Sequence, residues 1–222
     1  MKRTLAIAAA IGALAVIQAV TLPSVHAQAT PSAAPAATTQ SAPDQLVNKV
    51  SNDVLEAIRA DKSLQGGDIS RINQLVDQKV LPYVDFEKMT RLAVGRGWRQ
   101  ATPEQRTQLV KEFRTLLTYT YSGALTQISD HKVQLRPFRN APTDTDVIVR
   151  TQVVASKGDP IQLDYRLEKA ADTWRIFDFN VLGLWATDSF RSQFARDLSS
   201  GGVDALLKSL TDRNKSLQAR KA

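Results

Sequence analysis

Histidine and cysteine, the side chains most used in nucleophilic, acid–base and metal chemistry, are scarce in this sequence of 222 residues. Cysteine is absent, which excludes thiol catalysis and thiolate metal sites. Of the two histidines, His26 lies in an N-terminal segment that we expect to be cleaved. His131 follows Asp130 at a predicted helix end, and we interpret it as a surface residue. A two-histidine metal site is therefore not predicted.

The other motifs that serve catalysis or phosphate binding in proteins are weak here. The glycine clusters GRGW (95–98) and SGG (200–202) lack the spacing of a phosphate-binding loop. No pattern resembles the nucleophile elbow of serine hydrolases. Carboxylates are numerous, so a paired acid–base site stays open as an alternative. We predict a binding protein rather than an enzyme, with no metal and no cofactor.

The first 27 residues have the composition of a secretory signal peptide. Lys2 and Arg3 precede an uncharged apolar run from Leu5 to Val20. Small residues then lead to an expected cleavage after Ala27, with Ala29 as the alternative site. An uncleaved anchor is the alternative, but the run is short and rich in alanine. Residues 28–43 lack charged and large side chains and are interpreted as a disordered linker. Export without disulfides is typical of a Gram-negative periplasm.

The charge balance indicates a moderately basic protein. The formal net charge is +7, and loss of the two charges of Lys2 and Arg3 with the signal peptide leaves +5. We expect no nucleic-acid partner, because the charges are spread along the chain and no binding motif is present. Four arginines surround the predicted turn at 95–102: Arg91, Arg96, Arg99 and Arg106. They form either an ordinary solvated surface or a docking surface for acidic partners.

Apolar residues at helical spacing predict three helices at the start of the folded region. Asp44, Asp68 and Asp85 are the expected N-caps of these helices. Pro82 and Gly95 are expected to end the second and the third.

A long fourth helix is predicted from Thr102-Pro103-Glu104-Gln105, which has the residues of a capping box with proline in the first turn. We expect it to run to about Ser129. Near the C-terminus, apolar spacing predicts one helix with Phe190, Phe194 and Leu198 and another over 203–210. Residues 213–222 are interpreted as a polar tail that frays.

Strands are predicted between the long helix and the last two helices. In PIQLDYRLEKAADTWRIFDFNV (160–181), apolar Ile161, Leu163, Tyr165 and Leu167 alternate with polar Gln162, Asp164, Arg166 and Glu168. This period of two predicts a strand with one apolar and one polar face. The next run, Trp174–Val181, completes a hairpin, and Val133–Phe138 and Asp146–Ala155 add two earlier strands.

Together these elements predict one α+β domain over residues 44–212. N-terminal helices, a four-stranded antiparallel curved sheet and C-terminal helices suggest an NTF2-like lobe, of the nuclear-transport-factor kind, joined to a helical lobe. Such an arrangement has room for an apolar pocket between the long helix and the sheet. The alternative is that the same residues form an ordinary filled core.

Residues 80–125 (VLPYVDFEKMTRLAVGRGWRQATPEQRTQLVKEFRTLLTYTYSGAL) resemble the central signature of the MlaC family. The residues that carry this resemblance are Pro82, Asp85, Phe86, Met89, Gly95, Trp98, Phe113 and Tyr121. WRIFD (174–178), VLGLWATDSFRSQFARDL (181–198) and GGVDALLKSL (201–210) also resemble it, in the same order. The resemblance covers nearly all of residues 44–212.

One position departs from the family pattern. Many members read V-x-G-V-S after the last strand, whereas here Gly183 is followed by Leu184 and Trp185. An indole therefore replaces a small hydroxyl. Trp185 is expected either to narrow a pocket mouth or to lie on a docking surface.

The resemblance implies a soluble periplasmic phospholipid-binding protein, an auxiliary component of an ABC transport system also linked to toluene tolerance. Such a protein carries phospholipid between an outer-membrane lipoprotein complex and an inner-membrane MCE-type ABC transporter, and so maintains outer-membrane lipid asymmetry. The partners implied are phospholipid and these two complexes. We expect a monomer, with phospholipid as cargo.

Carrying a phospholipid requires that its acyl chains be covered. Roughly 30 methylenes at about 0.8 kcal/mol each make exposure to water cost on the order of 24 kcal/mol. We predict that the sheet contributes Val149, Val153, Leu163, Tyr165 and Leu167 to an acyl cavity. The long helix is predicted to contribute Phe113, Leu117, Tyr121 and Leu125, with Phe86, Met89 and Trp98 toward the mouth.

Two other functions stay open at this point. An NTF2-like small-molecule enzyme would need Asp164 or Asp178 turned inward, against the alternation that places Asp164 on the polar face. A periplasmic chaperone would instead shield peptide or lipoprotein segments in an apolar groove.

Overall fold

The structure is a computed structural model that describes residues 42–155, 158–171 and 173–220. The expected signal peptide and all but the last two residues of the expected linker lie outside this range. The α-helices are α1 (Pro43–Ala60), α2 (Lys62–Gln65), α3 (Ile69–Leu75), α4 (Phe86–Val94), α5 (Gly97–Gln100), α6 (Pro103–Leu125) and α7 (Ala186–Ala219). A π-helix (Val76–Val80) and a 3-10 helix (Leu81–Tyr83), which contains Pro82, follow α3. The strands are β1 (Lys132–Leu135), β2 (Asp146–Val154), β3 (Ile161–Ala170), β4 (Thr173–Val181) and β5 (Leu184–Trp185).

The first helices follow the predicted apolar spacing, with one difference at a cap. Asp68 and Asp85 cap α3 and α4, each accepting a hydrogen bond from the backbone N–H three residues later. The predicted cap at Asp44 is wrong, because Ala42 is the N-cap of α1 and Asp44 lies in its first turn. There its negative charge interacts favourably with the positive end of the helix dipole. Gly95, with φ of +62°, ends α4 as predicted.

Helix α6 begins with the predicted capping box. The Gln105 N–H donates to Thr102 Oγ1 at 3.2 Å, and the Thr102 N–H donates to Gln105 Oε1 at 2.9 Å. The helix ends at Leu125, a turn earlier than the predicted end near Ser129. It is 23 residues long and packs along α7, and near its end Tyr121 contacts Phe179 of the sheet.

The sheet is antiparallel with the strand order β1-β2-β3-β4-β5, so it has five strands rather than the predicted four. The additional strand β5 has two residues, too few to show a period of two, and pairs with Asn180 and Val181 of β4. Leu182 and Gly183 form the two-residue turn between them, with φ of +52° and +90°. β1 is also shorter than predicted and ends at Leu135.

Helix α7 contains both predicted C-terminal helices, separated by a break at Gly201 and Gly202. Gly202 has φ of +68°, which glycine adopts readily. The helix continues to Ala219, so the predicted frayed tail is wrong for residues 213–219. Asn214 explains this continuation, because its Nδ2 donates to the Glu112 carbonyl oxygen on α6 at 2.9 Å.

Two apolar clusters hold the chain together. The larger joins α1, α4, α6 and α7 to the inner residues of the sheet, and the smaller joins α1, α2 and α3 through Ile58, Leu64, Ile72 and Leu75. The predicted α+β fold, with helices at both ends of an antiparallel sheet, is confirmed. Among the described residues, no helix combines the length and the apolarity needed to cross a bilayer.

Candidate functional site

One side of the sheet, which we call the inner face, carries the apolar residues of each strand toward the helices. Tyr165 pairs with Val149 on one side and with Phe179 on the other, and Leu167 pairs with Ile176. Directly paired residues in antiparallel strands share a face. The predicted alternation in β3 is therefore correct: Leu163, Tyr165 and Leu167 lie together on the inner face.

Aromatic residues connect the inner face to helices α6 and α1. The rings of Tyr121 and Phe179 meet edge to face, with centroids 5.1 Å apart. Burial raises the pKa of Tyr121, and the negative charge of Asp178 adds to the rise. Burial likewise raises the pKa of Tyr165, and a hydrogen bond with Ser51 of α1 offsets part of this rise. Both phenols therefore stay neutral, and each presents an apolar ring that ends in a polar hydroxyl.

The first half of α6 faces α7 rather than the sheet. Phe113 is fully buried, and its ring centroid lies 5.0 Å from that of Phe190 and 5.4 Å from that of Phe194. Both pairs are edge to face, the geometry of packed aromatic cores. Phe113 thus holds the two helices together, and the sheet-facing part of α6 begins further along, near Tyr121.

The structure brings nine of the twelve predicted lining residues into the larger apolar cluster. These nine are Phe86, Met89, Trp98, Phe113, Leu117, Tyr121, Val149, Tyr165 and Leu167. Leu125 packs instead against the smaller cluster. Val153 and Leu163 lie on the sheet outside both clusters. A direct role of these twelve residues in ligand binding stays a prediction.

The apolar residues on α6, α4 and the inner face fall into two groups by solvent accessibility, one fully buried and one half-buried. Met89, Phe113, Val149 and Leu167 are 0–2% exposed, as in an ordinary core. In contrast, several apolar residues on α6 and the inner face are only half-buried: Tyr121, Leu135, Val147, Leu163, Tyr165, Phe179 and Val181. Half-buried apolar side chains on two facing walls form a surface that an apolar ligand can cover. We take this region as the candidate site.

Two surface pockets lie elsewhere, around α2 and α3. One, of 420 Å³, is lined in part by Asp61, Lys62 and Arg71. The other, of 730 Å³, lies along residues 66–70 and reaches Tyr119. Charged and polar residues outnumber apolar ones in both linings, which suits water better than acyl chains. Neither is the apolar pocket predicted between the long helix and the sheet, which stays a prediction.

The opposite side of the sheet, the outer face, carries buried carboxylates. Asp164 is 4% exposed, so the prediction that it lies on a wet face is wrong about its burial, although right about its face. Its oxygens accept from Gln162 Nε2 at 2.6 Å and from the Thr151 N–H at 3.3 Å. Pairing with Arg150 and Asn180 keeps it away from the inner face. The inward carboxylate that the enzyme hypothesis requires is therefore not supplied by Asp164.

Asp178 is completely buried and joins β4 to the start of α7. Its carboxylate accepts from Arg166 Nη1 at 3.0 Å, the Phe179 N–H at 2.9 Å, the Thr187 N–H at 3.1 Å and the Thr187 hydroxyl at 2.6 Å. Burial raises the pKa of Asp178, and the bonds from Thr187 and the charge of Arg166 oppose the rise. All four donors belong to the surrounding strands and to the start of α7, so the carboxylate holds β4 and α7 together.

Trp185, the departure from the family pattern, lies on the outer face. It pairs with Asn180, and the Arg166 guanidinium lies 3.9 Å from the centre of its ring. The indole is therefore not placed to narrow a pocket on the inner face. Of the four arginines near the 95–102 turn, Arg106 binds internally, donating to the Trp98 carbonyl oxygen at 3.1 Å, while Arg91, Arg96 and Arg99 are exposed.

Phe179 and Val181 also lie on the inner face, a placement that the sequence pattern does not predict. The register of β3 and β4 shifts between Arg166 and Leu167, which leaves Phe177 as an extra residue in β4. The bulge reverses the alternation, so Ile176 and Phe179 share a face although they are three residues apart. A strand pattern carries no mark of such an insertion. The described residues also contain no group of three or more histidine, aspartate or glutamate side chains placed to hold a metal ion.

Comparisons with known proteins agree with this architecture. A phospholipid-binding protein from Ralstonia solanacearum, whose structure was solved in complex with a phospholipid, is 43% identical with a TM-score of 0.76. The match covers 79% of this chain and 98% of that one.

Curated relatives are more distant. The intermembrane phospholipid transport system binding protein MlaC of Haemophilus influenzae is 23% identical, covering 76% of this chain and 80% of its own length. The toluene tolerance protein ttg2D of Pseudomonas putida is 24% identical, covering 73% of this chain and 75% of its own. The family profile described as MlaC protein matches residues 48–212. The chain belongs to the MlaC family.

Proposed function

We propose that this protein is a periplasmic phospholipid carrier with no catalytic activity. The observation that carries the proposal is the 43% identical structure from Ralstonia solanacearum, which contains a phospholipid and is covered over 98% of its length. The names of the two curated relatives, one for phospholipid transport and one for toluene tolerance, support the same function.

The acyl chains would lie between the inner face and the helices. Half-buried Tyr121 of α6 and half-buried Tyr165 and Phe179 of the sheet supply aromatic walls there. Covering these residues with acyl chains removes apolar surface of both ligand and protein from water. The binding energy needs no charged group in the site, because a headgroup at the margin stays hydrated.

We further propose that the chain is exported by its N-terminal segment, cleaved after Ala27, and acts as a monomer. It would exchange phospholipid with an outer-membrane lipoprotein complex and an inner-membrane MCE-type ABC transporter. A soluble carrier is needed for this step because free transfer of a diacyl lipid through water costs on the order of 24 kcal/mol.

Native mass spectrometry of the mature protein, with lipid extraction of the same sample, tests the proposal. We expect co-purified phospholipid at one or a few molecules per chain. A protein that is isolated empty, and that takes up no phospholipid from vesicles, would refute the carrier.

Two neighbouring residues of β3 offer a matched pair of variants. Leu163→Lys places a charge on the half-buried inner face, and we expect it to lower bound phospholipid about tenfold, because a charge is poorly solvated among acyl chains. Gln162→Lys places the same charge on the exposed outer face, beside the Asp164 carboxylate that accepts from Gln162 in the wild type. Equal lipid content in the two variants would move the site away from the inner face.

A further inference from the structure

The turn between β4 and β5 exposes two leucines. Leu182 is 67% exposed and Leu184 is 69% exposed, whereas the third large hydrophobic residue of the described chain that is exposed, Ile148, reaches 36%. Single exposed apolar residues are ordinary, but two at one protruding turn form a patch in contact with water. We call residues 182–184 the hairpin tip.

Leucine is an unfavourable residue at this position of the backbone. Leu182 has φ of +52° and Gly183 has φ of +90°, the signs found in type I′ turns, where asparagine, aspartate and glycine predominate. The turn is nonetheless held in place: the Leu182 N–H donates to the Gln162 carbonyl oxygen at 3.1 Å, and the Gly183 N–H donates to Asn180 Oδ1 at 2.8 Å. Strain retained in an ordered, exposed turn indicates a use for the side chain.

The hairpin tip continues the apolar inner face to the surface. Leu163 pairs with Val181, and Val181 pairs with Leu184, so the three side chains form one row. Exposure increases along it, from half-buried Leu163 and Val181 to exposed Leu184. The row therefore leads from the candidate site to the edge of the sheet.

The residues beside the hairpin tip are those found where proteins meet a bilayer. Trp185 is half-buried next to Leu184, with the Arg166 guanidinium stacked on its ring at 3.9 Å. Leucine enters the acyl region, and indole and guanidinium groups lie at the level of the headgroups. The net charge of the mature chain, +5 after loss of Lys2 and Arg3 from the full-length +7, adds attraction to anionic lipid.

We propose that the hairpin tip inserts Leu182 and Leu184 into the surface of a phospholipid bilayer. A stable protein interface buries roughly 1,000 Å² or more with a matched polar rim, far more than two side chains provide. A bilayer needs no matched polar rim, and burial of even a small apolar protrusion in it contributes to binding. The purpose of this contact, passage of acyl chains along the Leu163–Val181–Leu184 row, rests on the proposed function.

Flotation of the mature protein with vesicles of phosphatidylethanolamine and phosphatidylglycerol tests the proposal. The informative variant is Leu182→Asn combined with Leu184→Thr. Asparagine suits positive φ, so this variant should unfold at the same or a higher denaturant concentration than the wild type. The matched control is Ile148→Asn, which removes the exposed apolar residue outside the hairpin tip. We expect the double variant to bind vesicles about tenfold or more weakly, and the control to bind like the wild type.

Fluorescence locates the contact. Trp98 and Trp174 are buried, so quenching by brominated acyl chains should report mainly on half-buried Trp185. Equal vesicle binding by the wild type and the double variant overturns the proposal. So does photocrosslinking from position 184 to a protein in place of lipid, or a concentration-dependent dimer that the double variant abolishes. Leu182 and Leu184 lie outside the candidate site, so the double variant should still bind phospholipid presented in detergent like the wild type. That result separates failure of this proposal from failure of the carrier function.

Discussion

The guanidinium of Arg166 lies 3.9 Å from the centre of the Trp185 ring and also donates to Asp178 at 3.0 Å. Arg166 thereby links an exposed strand edge to a fully buried carboxylate. Because Asp178 also accepts from Thr187, the strand β3, the strand β5 and the start of α7 are fastened at one corner of the sheet.

Replacing Trp185 with serine should leave bound phospholipid unchanged, because the indole lies on the outer face. Loss of the stacking on Arg166 should lower the free energy of unfolding by about 1 kcal/mol. Urea denaturation and native mass spectrometry measure the two effects. A large drop in lipid content in Trp185→Ser would place the indole at the ligand instead.

The buried carboxyl of Asp178 should make stability depend on pH. Its native pKa lies above the ordinary value of 3.8, so between the two pKa values the native state binds more protons than the unfolded chain. The free energy of unfolding contributed by this group therefore falls as pH rises through that interval. Asp178→Asn does not titrate, so the stability of the wild type relative to the variant should decrease as the pH rises above 3.8 and through the native pKa of Asp178. Urea denaturation midpoints of the two proteins over this pH range measure the difference in stability. A difference that grows in favour of the wild type as the pH rises would contradict a raised pKa for Asp178.

The capping box of α6 should contribute to stability through Thr102. Thr102→Ala removes the acceptor for the Gln105 N–H, and we expect a loss of about 1 kcal/mol in the free energy of unfolding. Thr107→Ala is a suitable control, because Thr107 is equally exposed but lies inside the helix. If both variants lose the same stability, the cap does not act as the structure indicates.

Two aromatic residues of α6 should separate stability from binding. Phe113 is fully buried between α6 and α7, so Phe113→Ala should destabilise by about 3–5 kcal/mol. Tyr121 is half-buried against Phe179, so Tyr121→Ala should cost less stability and reduce bound phospholipid more. Denaturation curves and lipid extraction of the folded fractions provide the comparison. The reverse ranking would place the ligand between α6 and α7.

The sequence patterns predicted the elements well where local rules decide the outcome. The capping box at Thr102 and the alternation in β3 are local, and both agree with the structure. The alternation also indicated which face Asp164 occupies, but its burial depends on neighbouring strands that a single strand does not reveal. The extra residue Phe177 and the two-residue strand β5 leave no periodic pattern, so neither was predicted.

The candidate site was harder to predict than the fold, because a helix has two sides that can both be apolar. Phe113 and Tyr121 belong to the same apolar set of α6, yet one packs on α7 and the other on the sheet. Leu125, a turn beyond Tyr121, already faces a different cluster. Spacing identifies apolar residues, whereas the packing of the neighbouring elements determines which of them a ligand can reach.

Helix α6 is fixed to α7 at separate points along its first half. Gln105 Nε2 donates to Asp204 Oδ1 at 2.7 Å, the Phe113 ring packs on Phe190, and the Glu112 carbonyl accepts from Asn214. Sliding the helix along its axis would break these contacts together. If phospholipid binds as proposed, ligands of different bulk must be accommodated mainly by the half-buried side chains of the sheet, because α6 cannot slide to make room. We therefore expect tolerance for varied acyl lengths to depend on the sheet rather than on α6.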